Sequence, residues 1–148
     1  MQWKVTNDQG PEIILMLARN VEAATRSAGD AACYKITTLK PGFDVIQPDT
    51  GQLGLFAGIW TQVVAQSAMG LVQTYGYSDT VYVGLSSTTT GTPLKCAAGV
   101  DYLVPLIAGS SINWGQAADS DSHFCVAWAM EAKLTTAETA VAALIKGL

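Results

Sequence analysis

Clusters of turn-forming residues recur along the chain at a spacing that leaves room for strands and for little else. "AGD" at 28–30, "KPGFD" at 40–44, "PDTGQ" at 48–52, "YGYSD" at 75–79, "TTTGTP" at 88–93, "AAGVD" at 97–101 and "AGSS" at 108–111 each combine Gly, Pro, Asp or Ser. Punctuation every 8–12 residues or so is the mark of a small all-β sandwich or barrel. The segments in between are "ACYKIT" (32–37), "FDVIQ" (43–47), "GLFAGIW" (54–60), "GLVQTYGY" (70–77), "TVYVGL" (80–85), "TPLKCA" (92–97) and "DYLVPLI" (101–107), all of strand length. In 70–77, Leu71, Gln73, Tyr75 and Tyr77 fall on one face and Val72, Thr74 and Gly76 on the other. Apolar residues on both faces predict a strand covered, at least in part, on both sides. Gly70, Gly76 and Gly84 permit the bulges that a curved barrel needs.

Two regions pull the other way. Residues 12–25, "EIILMLARNVEAAT", place Ile14, Leu17, Ala18, Val21 and Ala24 near helical spacing. Residues 126–146, "VAWAMEAKLTTAETAVAALIK", are rich in Ala, Leu, Glu and Lys, and local propensity makes both regions helical. The threonines of "KLTTAET" interrupt the second run, and its halves also read as two strands, "HFCVAWAMEA" and "AVAALIKGL". The period of short apolar runs does not separate these readings.

A chain of 148 residues is one domain by size, and no composition shift divides it. Residues 1–12 read as an extended N-terminal arm, too polar to form a core alone, and 13–148 as a single β domain. Only 14% of residues are charged, against about 25% in an average soluble domain, so much of the surface is apolar or hydroxylic and suited to contact with partners. The eight Lys and Arg residues are scattered from Lys4 to Lys146 and the formal net charge is −4, which excludes the basic stripe of a nucleic-acid binder. Apolar runs such as Ile13–Ala18 and Cys125–Met130 fall far short of the roughly 18 residues of a membrane span. Asp8 and Glu12 precede the first of them and no cleavage pattern follows, so the expectation is synthesis in the cytoplasm without a secretory signal.

Chemistry-bearing residues are sparse. His123 is the single histidine, and a nucleophilic site would have to pair it with Cys125, with no oxyanion-hole motif in view. "DSDSH" (119–123) offers two carboxylates but neither the full ligand set nor the closing Glu of a calcium loop, and no phosphate-binding glycine motif occurs. The expectation is no catalysis, no cofactor and no metal. Cys33, Cys96 and Cys125 are odd in number and far apart, which fits buried free thiols rather than a disulfide framework or a zinc site. Trp60 and Trp128 fall in predicted strands, where core or subunit-interface roles are simplest. Trp3 in the arm, with Lys4 beside it, and Trp114 in the long polar stretch 108–123 are the candidate partner contacts, because aromatic side chains are enriched where surfaces lock together.

One ordered set of segments carries a resemblance. "ARNVEAATRSAGDAACYKIT", "GLFAGIWTQVVAQSAMGLVQTYGYSDTVYV", "GTPL" and "HFCVAWAMEA…AVAALIKGL", over about residues 18–148, resemble the capsid decoration (head cement) proteins of tailed bacteriophages. The shared features are an early Arg-Asn leading to a Gly-Asp turn, an "AGI" strand, the "GLVQTYG" segment, a Gly-x-x-Leu strand start and a closing strand with a basic residue near its end. None is a catalytic signature; the likeness lies in order and spacing. The stretch 108–123 is longer and more polar than that pattern, and residues 1–12 have no counterpart in it. The resemblance implies that both helix-like regions are strands. It also implies a homotrimer on the capsid exterior of the virion, bound across neighbouring major capsid protein subunits and stabilising the lattice. A phage tail, baseplate or receptor-binding β module has the same composition, and a small enzyme using His123 and Cys125 is a third reading.

Overall fold

A computed structural model of the chain describes residues 2–5, 12–36, 43–84, 87–106 and 125–146. All regular structure among these residues is β, in ten strands: β1 (Gln2–Val5), β2 (Ile13–Asn20), β3 (Ala31–Tyr34), β4 (Asp44–Ile46), β5 (Phe56–Trp60), β6 (Met69–Val83), β7 (Pro93–Cys96), β8 (Leu103–Pro105), β9 (Ala127–Ala129) and β10 (Thr139–Lys146). The all-β expectation holds, and the two helix-like regions are strands.

Strand pairing closes two rings on one shared strand. The C-terminal part of β6 pairs with β10, β10 with β9, β9 with β7, β7 with β8, and β8 returns to β6 through Val83 and Leu103. The N-terminal part of β6 pairs with β2, β2 with β4, β4 with β3, β3 with β5, and β5 returns to β6 through Ile59–Gln73 and Trp60–Val72. β1 adds to the outer edge of β2, with Gln2 opposite Met16 and Val5 opposite Ile13. Closure satisfies backbone groups that an open sheet would leave at its edges.

Each ring has its own core. The first holds Val81, Val83, Leu94, Leu103, Val126, Ala127, Ala129, Val141, Ala143 and Ile145, and extends to Ala31, Cys33, Phe56 and Ile59. The second holds Met16, Ala18, Ala32, Val45, Ala57, Trp60, Val64 and Val72. β3 and β5 are therefore a wall between two cores, buried on both faces, and β5 is buried throughout as "FAGIW". Small rings have narrow interiors, and alanine fills them. Ala18, Ala127 and Ala143 are fully buried inside strands. The residue that raises helix propensity is here the one that fits the space, which is why local propensity misleads at both ends of the chain. The period of two shows in β2, where Met16, Ala18 and Asn20 are buried and the alternate residues are half-buried, and in β10, where Val141, Ala143 and Ile145 point inward.

Two bulges set which residue enters which core. In β5, Ala32 pairs with Gly58 but Cys33 with Phe56, and Gly58 sits at φ +143°. This extra residue changes the parity, so Phe56 enters the first core and Trp60 the second, although four residues of regular strand would put them on one face. In β6, Val81 pairs with Val141 but Ser78 with Ala143. The exposed pair Asp79–Thr80 is the irregularity between them, and burial passes from Val72, Thr74, Gly76 and Ser78 to Val81 and Val83. The turn expected at "YGYSD" is thus a bulge in one continuous 15-residue strand, and the segments 70–77 and 80–85 merge. Gly76, at φ +103° with the Glu12 carbonyl oxygen where a β-carbon would stand, lets the chain entering β2 approach.

Candidate interaction surface

The shared strand places an apolar face on the outside of the molecule. Tyr75 and Tyr77 leave β6 outward and are 42% and 41% exposed. Directly opposite Tyr77 on β10 is Leu144, 36% exposed, and opposite Leu144 on β9 is Trp128. Residues paired across strands share a face, so these four side chains are neighbours. Lys146, opposite Tyr75, holds its ammonium 5.6 Å from the centre of the Trp128 ring, a cation–π contact worth about 0.5–1 kcal/mol at a surface. Toward the other ring the same side of β6 continues through Leu71, which opposes Leu17 on β2, to Met69, opposite Arg19 and 47% exposed. Arg19 forms a two-pronged ion pair with the buried Asp44, Nε to Oδ1 at 2.9 Å and Nη2 to Oδ2 at 2.8 Å, which ties β2 to β4.

Two of the expected contact residues, Trp3 and Lys4, lie on β1 beside β2. In register, Lys4 opposes Ile14, Ile14 opposes Tyr75 and Tyr75 opposes Lys146, so the backbone of Lys4 lies in one row with the tyrosine. Trp3 opposes Leu15, which opposes Gln73. Trp114 and His123 lie outside the described residues. Cys125 is half-buried and its thiol donates to the carbonyl of Ala127 at 3.3 Å. Trp60 is a core residue, whereas Trp128 faces out.

A cleft of about 370 Å³ opens beside this face, lined by Thr61, Gln73, Tyr77, Ser78, Asp79 and Thr80 among others. Several of its polar groups already serve the fold. The Gln73 amide donates to the carbonyls of Tyr75 (3.3 Å) and Tyr77 (2.9 Å), and the Thr61 hydroxyl donates to that of Leu71 (3.1 Å). These bonds brace β6 between Leu71 and Tyr77.

Two buried polar positions that hold the loops of the fold escape sequence reasoning. Asn20, fully buried, ends β2. Its side-chain nitrogen donates to the carbonyls of Ala24 (2.8 Å), Val64 (3.1 Å) and Ala65 (3.3 Å), and its oxygen accepts from the amide of Glu22 (3.0 Å). One side chain thus ties together loop backbone from two segments, adding to the bonds that the Val64 and Ala65 carbonyls accept from the Arg26 and Ala68 amides. Asp30, 4% exposed, accepts from the amide of Ser27 at 2.7 Å. Burial, and the nearby Asp101 and Glu138 carboxylates, outweigh that bond and the neighbouring Arg26, and raise its pKa from 3.8 to about 6. The only advance sign of either was its place beside a recognised element, Asn20 in "ARN" and Asp30 in "AGD".

No family model and no curated protein matches the sequence. The fold is similar to that of the N base of the head fiber protein gp8.5 of bacteriophage phi29, at a TM-score of 0.54 and 12% identity, over 90% of this chain and 94% of that one.

Proposed function

We propose that this chain is a structural protein of a tailed-phage virion, a homotrimer on the capsid exterior that decorates the assembled head by binding across neighbouring major capsid protein subunits. The observation that carries the reading is the likeness of the whole fold to a phage head-fiber base, over nine-tenths of both chains. The ordered decoration-protein pattern over residues 18–148 supports it independently. The outward face of Tyr75, Tyr77, Leu144 and Trp128 supplies rigid apolar and aromatic area of the kind that anchors protein interfaces. Trp3, Lys4 and Trp114 are the contacts assigned to the partner. The work is binding rather than catalysis. A protein that binds the lattice across subunits stabilises the assembled state over free subunits, and repetition over many sites multiplies a modest affinity.

The test is co-sedimentation of the purified protein with heads and, separately, with tails of the parent phage, together with labelled imaging of the virion. Binding to heads at a saturable ratio, weakened several-fold by Trp3→Ala or Tyr77→Ala with the melting temperature unchanged, is the expected result. Binding to tails alone would move the protein to a tail or baseplate role, and binding to neither would remove the virion reading.

A further inference from the structure

Two thiols that no hydrogen-bonded strand pair brings together meet inside the first core. Cys33 lies on β3, in the wall shared by the two cores, and Cys96 on β7, in the far part of the first ring. They are 63 residues apart in sequence, yet their sulfurs are 3.9 Å apart and their exposures are 0% and 3%. Neither strand has the other as a neighbour: β3 pairs with β4 and β5, and β7 with β8 and β9. Buried cysteine next to a valine or leucine is ordinary core packing. Here each thiol has the other as its polar partner, in a core otherwise made of alanines and larger apolar residues.

We propose that Cys33 and Cys96 are a latent cross-link, open in a reducing compartment and closed to a disulfide by a small disulfide oxidant of the oxidised-glutathione class. Contracting 3.9 Å to a bond of about 2.05 Å takes rotation and small shifts of two short side chains. The step balances as a double exchange. One cysteine thiolate attacks the oxidant's S–S bond and releases one small thiolate. The second cysteine thiolate then attacks the mixed disulfide and releases the other. The two cysteines lose two electrons, the oxidant is reduced to two thiols, and the two cysteine protons pass to them through solvent. The closed core makes the reaction slow: the hydrogen bond to Cys33 and burial push the Cys96 thiol well above its ordinary pKa, so attack requires β3 and β7 to part. Once formed, the bond is shielded from reductant by the same burial. It ties the shared wall to the far side of the first ring, a second fastening beside β6.

The test uses the full chain carrying Cys125→Ser, which removes the half-buried third thiol, equilibrated with oxidised glutathione or with dithiothreitol in denaturant just below the unfolding midpoint and then returned to buffer. Expected are the loss of two hydrogens by mass, a Cys33–Cys96 linked peptide, a monomer by gel, and a melting temperature about 5–14 °C higher than the reduced form, the upper value being the entropic limit for a loop of this length in a chain of this size. A protein that keeps both thiols, carries glutathione adducts, or forms the bond but melts lower would overturn the proposal. The unsubstituted chain, mapped in the same way, provides the control that does not depend on the variant folding.

Discussion

Replacing Asp30 by Asn should make the protein more stable at neutral pH, although it deletes a hydrogen-bonded acid from a turn. The carboxyl is nearly inaccessible, accepts one amide from Ser27, and faces Asp101 and Glu138 as well as Arg26. Arg26 is already engaged with Asp101, Nη1 to Oδ2 at 3.3 Å. With its pKa raised from 3.8 to about 6, Asp30 is protonated more readily in the fold than in the unfolded chain. A carboxyl of this kind gives its full contribution below the unfolded pKa and loses it as pH rises through the folded one, so its effect on stability falls between about pH 4 and 6. A shift of about two units, at 1.36 kcal/mol each, bounds the loss at about 3 kcal/mol. The asparagine oxygen still accepts from Ser27, and its amide needs one acceptor, so the expected net gain at pH 7.5 is about 1–2 kcal/mol. Urea unfolding of both proteins from pH 4 to 7.5 measures it. The two should coincide near pH 4 and separate above pH 6. If the variant is the less stable at pH 7.5, or if the difference does not change with pH, Asp30 is a useful anion in its turn and the burial argument is wrong.

Asn20→Ala should cost about 2–4 kcal/mol, because it empties a fully buried position and removes four side-chain hydrogen bonds to loop backbone; Asn20→Asp should cost more, since a carboxylate would face those carbonyls, and thermal unfolding of both orders them. Gly58→Ala should prevent folding or lower the melting temperature by more than 10 °C, since a β-carbon there meets the Gln73 carbonyl oxygen at a φ that L-residues rarely adopt; a soluble variant with a normal melting temperature would refute the parity bulge.

What was legible in the sequence follows from how local each cause is. The turns at 48–52, 88–93 and 97–101 are set by their own Gly, Pro and Asp residues, and strands begin or end beside them. The period of two in "VAALIK" was also present, with Val141, Ala143 and Ile145 inward, but alanine's preference for helix masked it until the narrow ring gave those alanines a reason. The break in β6 could not be placed, because "YGYSD" contains turn residues and only its pairing with β10 makes it a bulge. The two-core role of β5 depends on Gly58, a parity change that no alternation pattern records. Asn20 and Asp30 owe their roles to carbonyls and charges more than 40 residues away, such as Val64 and Asp101. That Tyr75 and Tyr77 share a face was readable from alternation, but the expected cover on that side is missing over these two residues, and the continuation of the face onto Leu144 and Trp128 required the register.

The 15 residues of β6 run from one ring into the other, so the two barrels have no separate existence. Neither can melt while the other survives intact, because unzipping either half of the strand opens one core and frees one end of the strand that closes the other. A molecule that looks like two modules is therefore expected to respond to force, heat or denaturant as one, with a single sharp transition. Sequence change is coupled in the same way: a residue in the middle of β6 answers to two neighbourhoods at once, whereas β8 or β4, three residues each, answer to one. A scaffold of this kind tolerates variation at its rims and resists it along its spine.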